Sequence, residues 1–271
     1  MEYAGQILRV NGLDLHVVTA GQGPEVLLVH GFPDTQAVWR KQIPVLVGAG
    51  YRVIAPDLRG FGASEAPREI SAYRIDHLVD DLVGLLDQLG AERVRLVGHD
   101  WGSIAGWQLC MRSPERVDRF AALSVGHPNA YARGGVMQKL KAYYILFAQL
   151  RGVAEWMIPL GNWWLLRVMT RHHEEFHRWR AALSRPGRLT AALGVYRANL
   201  RLFFRRSYLP VRVPVLGIWS SRDIALAERQ MILSGQYVTA PWQYARFDGA
   251  SHWLQLDVPD QVNPLLLDFL K

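Results

Sequence analysis

The chain has 271 residues, half of them hydrophobic, and a net charge of +7, enough to bury a sizeable core as one α/β domain with an insertion rather than two independent domains. No apolar run approaches the ~18 residues that a membrane-spanning helix needs and no signal-peptide core stands near the start, so a cytoplasmic protein without stable membrane insertion is expected. The single Cys110 excludes an internal disulfide and, among apolar neighbours, reads as a buried structural thiol.

Three short strands come first, at residues 6–10, 13–20 and 26–30, separated by Asn11-Gly12 and by Gly21-Gln22-Gly23-Pro24. Asn-Gly between alternating apolar runs is a strong hairpin signal. The pattern then becomes strand and helix by turns: a strand at 51–55, an amphipathic helix at 72–89, a strand at 94–97, a helix-like stretch from 103 and a strand at 120–125. Such alternation implies a mostly parallel sheet covered on both faces.

The alternation stops at Pro128. Residues 129–212 are helical and rich in aromatics, including Trp156, Trp163, Trp164 and Trp179, and hold fifteen Lys/Arg against three Glu, a balance of +12 where the rest of the chain carries −5. The arginines are dispersed and form no nucleic-acid motif, so they read as solvent faces of helices and no nucleic-acid partner is expected. Strands return at 213–219 and 242–247, before a last helix at 262–270. The expected organisation is a core of residues 1–128 and 213–271 with a helical cap at 129–212.

The residues that carry chemistry cluster after strands. Gly98-His99-Asp100-Trp101-Gly102 follows a strand and opens a helix, the context of a nucleophile elbow, with aspartate where the nucleophile stands. A base and an orienting acid follow such a nucleophile in the order acid, then histidine. Asp223 and His252 stand in that order, each just past a strand, where sites form in open α/β sheets. A helix N-cap for Asp223 and an ordinary loop histidine for His252 are plausible singly, but their joint placement favours a triad. His30-Gly31-Phe32-Pro33 follows the third strand, where one oxyanion-hole N–H is supplied; the backbone amides of Phe32 and Trp101 are the expected donors. Asp57-Leu58-Arg59-Gly60-Phe61-Gly62 reads as structural.

An aspartate carboxylate, with an ordinary pKa of about 3.9, is ionised at neutral pH and attacks without a base. Its natural target is an sp³ carbon bearing a leaving group, which leaves an alkyl ester on the enzyme. His252 is then free to activate the water that hydrolyses it. An epoxide oxygen leaves as a basic alkoxide and needs a proton donor, whereas a halide needs only hydrogen-bond donors. Tyr143, Tyr144 and Tyr196 of the cap are candidate acids, phenols that stay neutral at pH 7. Adjacent helical residues diverge by about 100°, so Tyr143 and Tyr144 do not both face a pocket.

Taken together, His30-Gly31-Phe32-Pro33, Gly98-His99-Asp100-Trp101-Gly102, Asp223 and His252 resemble the α/β-hydrolase-fold epoxide hydrolases over nearly the whole chain. The resemblance implies a mostly parallel eight-stranded sheet with an inserted helical cap, no cofactor and no metal, and a small lipophilic epoxide and water as partners; monomer and homodimer both stay open. It also implies two cap tyrosines that bind and protonate the epoxide oxygen. One lies in a Tyr-x-x-x-Phe-Gln-x-Pro-Gly segment, matched by Tyr144 to Gly152 through Gln149, and the other precedes an arginine, as Tyr196-Arg197 does. Tyr143, Phe32, Trp101 and Trp253 are the further candidates for contact with substrate. Departures from the family pattern are Ala148 for Phe, Arg151 for Pro, Gly194 for Asn and Ser251 for Gly.

The main rival is a haloalkane dehalogenase, which shares fold, nucleophile, histidine and the tryptophan after the nucleophile. That family usually carries Asn or Glu at the position of Phe32, and a phenyl ring cannot donate a hydrogen bond to a halide. A haloacid dehalogenase usually has Arg where Trp101 stands. A non-enzymatic ligand-binding homologue should have lost a triad member, and none is lost here.

Overall fold

The computed structural model describes residues 3–204 and 207–271. Eight strands build one sheet: β1 (Gly5–Val10), β2 (Leu13–Ala20), β3 (Glu25–Val29), β4 (Arg52–Pro56), β5 (Val94–His99), β6 (Val117–Leu123), β7 (Val215–Ser220) and β8 (Trp242–Phe247). Their order is β1-β2-β4-β3-β5-β6-β7-β8. The β1–β2 hairpin turns at Asn11-Gly12, both at positive φ, and β2 pairs antiparallel to β4, while β4, β3, β5, β6, β7 and β8 run parallel. The central strands β3, β5, β6 and β7 are buried along nearly their whole length, as a sheet covered on both faces requires.

The helices that cover the sheet are α1 (Ile43–Gly48), α2 (Ile75–Gln88) and α3 (Trp101–Arg112). Between β6 and β7 the described residues form helices, α4 (Pro128–Ala132), α5 (Gly135–Lys141), α6 (Tyr143–Ala148), α7 (Val153–Met157), α8 (Leu160–Met169), α9 (Phe176–Leu183) and α10 (Arg188–Ala198), and an isolated bridge from Val211 to Val238. After β7 come α11 (Glu228–Ser234), α12 (Leu254–Asp257) and α13 (Pro259–Leu270). Among the described residues no helix is long and apolar enough to cross a membrane, and Cys110 is buried within α3.

Most expected bounds shift by one to three residues; two of these shifts have a tertiary reason. The helix expected at 72–89 is split: a 3-10 turn covers Ile70–Tyr73, Arg74 is extended, and α2 starts at Ile75. The Ile75 N–H donates to Oδ1 of Asn199 at 2.8 Å, so a side chain at the end of α10 caps this helix in place of a local residue. The strand expected at 120–125 runs instead from Val117 to Leu123. It ends where Ser124 turns to φ 69 and its hydroxyl donates to the carbonyl of His252 at 3.1 Å.

Candidate active site

The tight turn between β5 and α3 needs its two glycines. A Cβ on Gly98 would stand 2.5 Å from the carbonyl oxygen of Gly102, and one on Gly102 would stand 2.0 Å from that of Val29. The backbone passes through Asp100 at φ 53 and ψ −117, a conformation that costs a non-glycine residue of order 1–3 kcal/mol and is found where function maintains it. The strain lifts the Asp100 carboxylate above the end of the sheet. There the Phe32 N–H donates to its Oδ1 at 2.7 Å. Gly31 lies alongside, where a Cβ would meet Oδ1 of Asp100 at 2.3 Å and the amide nitrogen of Trp101 at 2.6 Å. The loop therefore has room for the carboxylate and two amides only because residue 31 has no side chain. The Phe32–Pro33 peptide is cis.

His252 stands between two carboxylates. Its Nδ1 is 2.8 Å from Oδ2 of Asp223 and its Nε2 is 3.6 Å from Oδ2 of Asp100. Burial alone would lower its pKa, but the charges and hydrogen bonds of Asp223 and Asp100 outweigh that and raise it to about 10. The second Asp223 oxygen accepts the N–H groups of Ala225 and Leu226, at 2.8 and 2.9 Å. Against the opposing effect of burial, these donors and the His252 charge hold the Asp223 pKa below its ordinary value. Lys141 of α5 donates to the backbone carbonyls of Asp223 and Leu226, tying the helical segment to the acid loop.

A small, mostly apolar cavity of about 70 Å³ opens above Asp100, lined among others by Phe32, Tyr144, Tyr196, His252 and Trp253. The Tyr144 and Tyr196 rings meet edge to face at 5.8 Å, and Tyr196 also packs edge-on against Phe32 at 5.5 Å and Trp101 at 5.1 Å. Burial, then the neighbouring phenols and carboxylates, raises the pKa of Tyr144 well above that of a free phenol; burial and Asp100 do the same for Tyr196. Contrary to the expectation from helical spacing, Tyr143 lines the same opening as Tyr144, at its edge, where it is 59% exposed. Trp101 is fully buried, its indole lying against Tyr196 and Phe203 and outside the cavity lining. Among the described residues no cluster of His, Cys, Asp or Glu could hold a metal ion.

The main residue that sequence reasoning missed is Asp34, next to Pro33. Its buried carboxylate accepts the indole N–H of Trp179 at 2.7 Å and that of Trp253 at 2.9 Å, linking α9 to the histidine loop. Burial, only partly offset by the two indoles, raises its pKa to about 7. The signal was its place directly after His30-Gly31-Phe32-Pro33; the two tryptophans that bind it are 145 and 219 residues away.

The two tyrosine-bearing segments are joined by Arg197, whose guanidinium donates to the carbonyl of Ala148 at 2.7 Å and pairs with Glu155. Gln149 donates to the Tyr196 carbonyl at 3.3 Å. The departure at Gly194 has a steric account: a Cβ there would lie 2.8 Å from the Tyr73 ring, which occupies the space a larger residue would need. Asp57 is held in a turn, accepting from the N–H groups of Gln36 and Ala63 and bonded to His16, away from the cavity.

A family model described as alpha/beta hydrolase fold matches residues 24–144. The chain is 35% identical to the AB hydrolase superfamily protein YfhM of Bacillus subtilis (strain 168), over 98% of this chain and 97% of the relative. It is 33% identical to epoxide hydrolase A of Mycobacterium tuberculosis, over 98% and 96%. The crystal structure of epoxide hydrolase A from Mycobacterium thermoresistibile superposes with a TM-score of 0.85 at 31% identity, covering 98% of each chain. With its eight-stranded sheet and full-length relatives, this chain belongs to the α/β-hydrolase-fold epoxide hydrolase family.

Proposed function

We propose that the protein hydrolyses a lipophilic epoxide to a vicinal diol through a covalent ester on Asp100, beneath a cap formed by residues 129–212. The observation that carries this reading is the pair of phenols, Tyr196 buried and Tyr144 half-buried, in one cavity with the Asp100 carboxylate. An Asp100 oxygen attacks an epoxide carbon and the C–O bond breaks. The departing oxygen takes a proton from a cap tyrosine, so no free alkoxide forms. Phenols held neutral by burial suit this transfer, since they bind the epoxide oxygen as donors without competing as anions.

The raised pKa of His252 supplies the switch between the two half-reactions. In the resting site the imidazole, with a pKa of about 10, is a cation between two carboxylates. Alkylation turns Asp100 into a neutral ester and removes one source of that stabilisation, so the pKa falls. The proton passes to the tyrosinate left by the first step, and a neutral His252 remains as base. It takes a proton from water, the hydroxide attacks the Asp100 carboxyl carbon, and the Phe32 and Trp101 amides hold the oxyanion. Collapse releases the diol and restores the imidazolium and the carboxylate; Asp223 orients the ring throughout.

Assays with a styrene-oxide type panel and a haloalkane panel test the assignment. Diol formation without halide release is expected, and halide release without diol formation would overturn it. The dehalogenase alternatives are disfavoured because Phe32 directs a phenyl ring against Tyr196 where a halide would need a donor. Tyr144→Phe and Tyr196→Phe are each expected to slow alkylation by about 10²-fold in stopped-flow tryptophan fluorescence. Tyr143→Phe should have much the smaller effect; the reverse order would move the acid to Tyr143.

A further inference from the structure

Exposed apolar side chains are unevenly distributed. Of the sixteen large hydrophobic side chains that are exposed among the described residues, twelve lie between Val136 and Val168. They include Val136, Met137 and Leu140 on α5, Leu146 on α6, Trp156 on α7 and Trp164 on α8, and the two tryptophans are 65% and 61% exposed. An indole gains most by leaving water, so two left in solvent within nine residues point to a partner surface. The patch is continuous with the cavity: α5 packs on α6 and α7 on α8, and Tyr143 of α6 and Met169 of α8 both line the opening.

Charge identifies the partner. Lys139, Arg151, Arg167 and Arg171 are exposed within or beside this segment and form no ion pair among the described residues; Arg167 lies over the Phe176 ring at 5.4 Å. The only acid between residues 136 and 171 is Glu155, and it is taken by Arg197. A second copy of the chain seated on this face by a two-fold axis would set like charges against each other. An anionic bilayer offers what the face lacks: negative headgroups for the cations and an acyl boundary for the indoles.

We propose that the face formed by α5 to α8 docks the protein on anionic phospholipid membranes, with the mouth of the active site toward the lipid. Docking itself does not depend on the reaction proposed above; only the delivery of a bilayer-dissolved epoxide to Asp100 rests on that reading. Co-sedimentation of the full chain with vesicles tests it. Binding is expected to vesicles of equal parts phosphatidylcholine and phosphatidylglycerol and not to pure phosphatidylcholine, and to fall at least about tenfold when ionic strength rises from about 0.05 to about 0.5 M. Trp156→Ser with Trp164→Ser, and separately Arg167→Glu with Arg171→Glu, should each weaken binding by about tenfold or more, with hydrolysis of a water-soluble epoxide unchanged as the check on folding. Brominated acyl chains should quench the tryptophan fluorescence of the bound wild type, and less so that of the tryptophan double variant. Absence of binding to anionic vesicles would overturn the proposal. So would a wild-type homodimer that the tryptophan variant converts to monomer, since the patch would then be a subunit interface. Because sedimentation does not involve turnover, either outcome leaves the diol assay intact.

Discussion

Replacement of His252 by Gln is expected to arrest the enzyme after one alkylation, leaving a protein heavier by the full mass of one epoxide. The nucleophile keeps its carboxylate and its contact with the Phe32 amide, so the first half-reaction proceeds. The second loses its base and should slow by about 10²–10⁴-fold, and the ester accumulates. Glutamine can still donate to Asp223, now 2.8 Å from the imidazole, so the loop around the acid stays in place. Intact mass spectrometry followed by peptide mapping should place the adduct on Asp100. An epoxide adds its whole mass, because ring opening expels nothing, whereas a haloalkane would add its mass less hydrogen halide. An unmodified protein that still makes diol would rule out the ester route.

The second large effect is at Asp100 itself, where activity and stability are expected to separate. Asp100→Ala and Asp100→Gly both remove the nucleophile and should lower diol formation by at least about 10³-fold. They differ in how they meet the backbone at φ 53 and ψ −117. Alanine keeps a Cβ in a conformation costing about 1–3 kcal/mol; glycine avoids that cost and returns only about 0.4–1 kcal/mol through its freer unfolded chain. The glycine variant should therefore melt a few degrees above the alanine variant, about 2–4 °C per kcal/mol for a chain of this size. Equal melting temperatures would mean that the elbow is not strained at this residue.

Asp100, Phe32, Asp223 and His252 could be read along the chain because each sits at the end of a strand in a mostly parallel sheet. Strand periodicity and the order of the segments are local properties, and in a parallel sheet they suffice to bring strand ends to one edge. The glycines of the elbow were legible for the same reason, since a tight turn selects its residues locally. Asp34 was not, because its meaning comes from Trp179 and Trp253, and no local pattern links an aspartate to indoles so far away. The start of α2 was also misjudged, since its cap is Asn199 and not a neighbouring residue.

The tyrosines divide the two kinds of information most clearly. Helical geometry predicts that only one of Tyr143 and Tyr144 faces a pocket, whereas both line the opening; the match to the Gln149 segment favours Tyr144. Packing decided the orientation in the fold: Tyr144 faces Tyr196 within the cavity and Tyr143 is mostly in solvent. Sequence by itself determined the sheet, the tight turn at Asp100 and the placement of Asp223 and His252 past strand ends, since these follow from backbone preferences and short-range spacing. Only the tertiary structure decided the two-carboxylate environment that raises the pKa of His252 and the meeting of Tyr144 with Tyr196 in one cavity, because charge interaction and desolvation depend on distances between segments far apart in the chain.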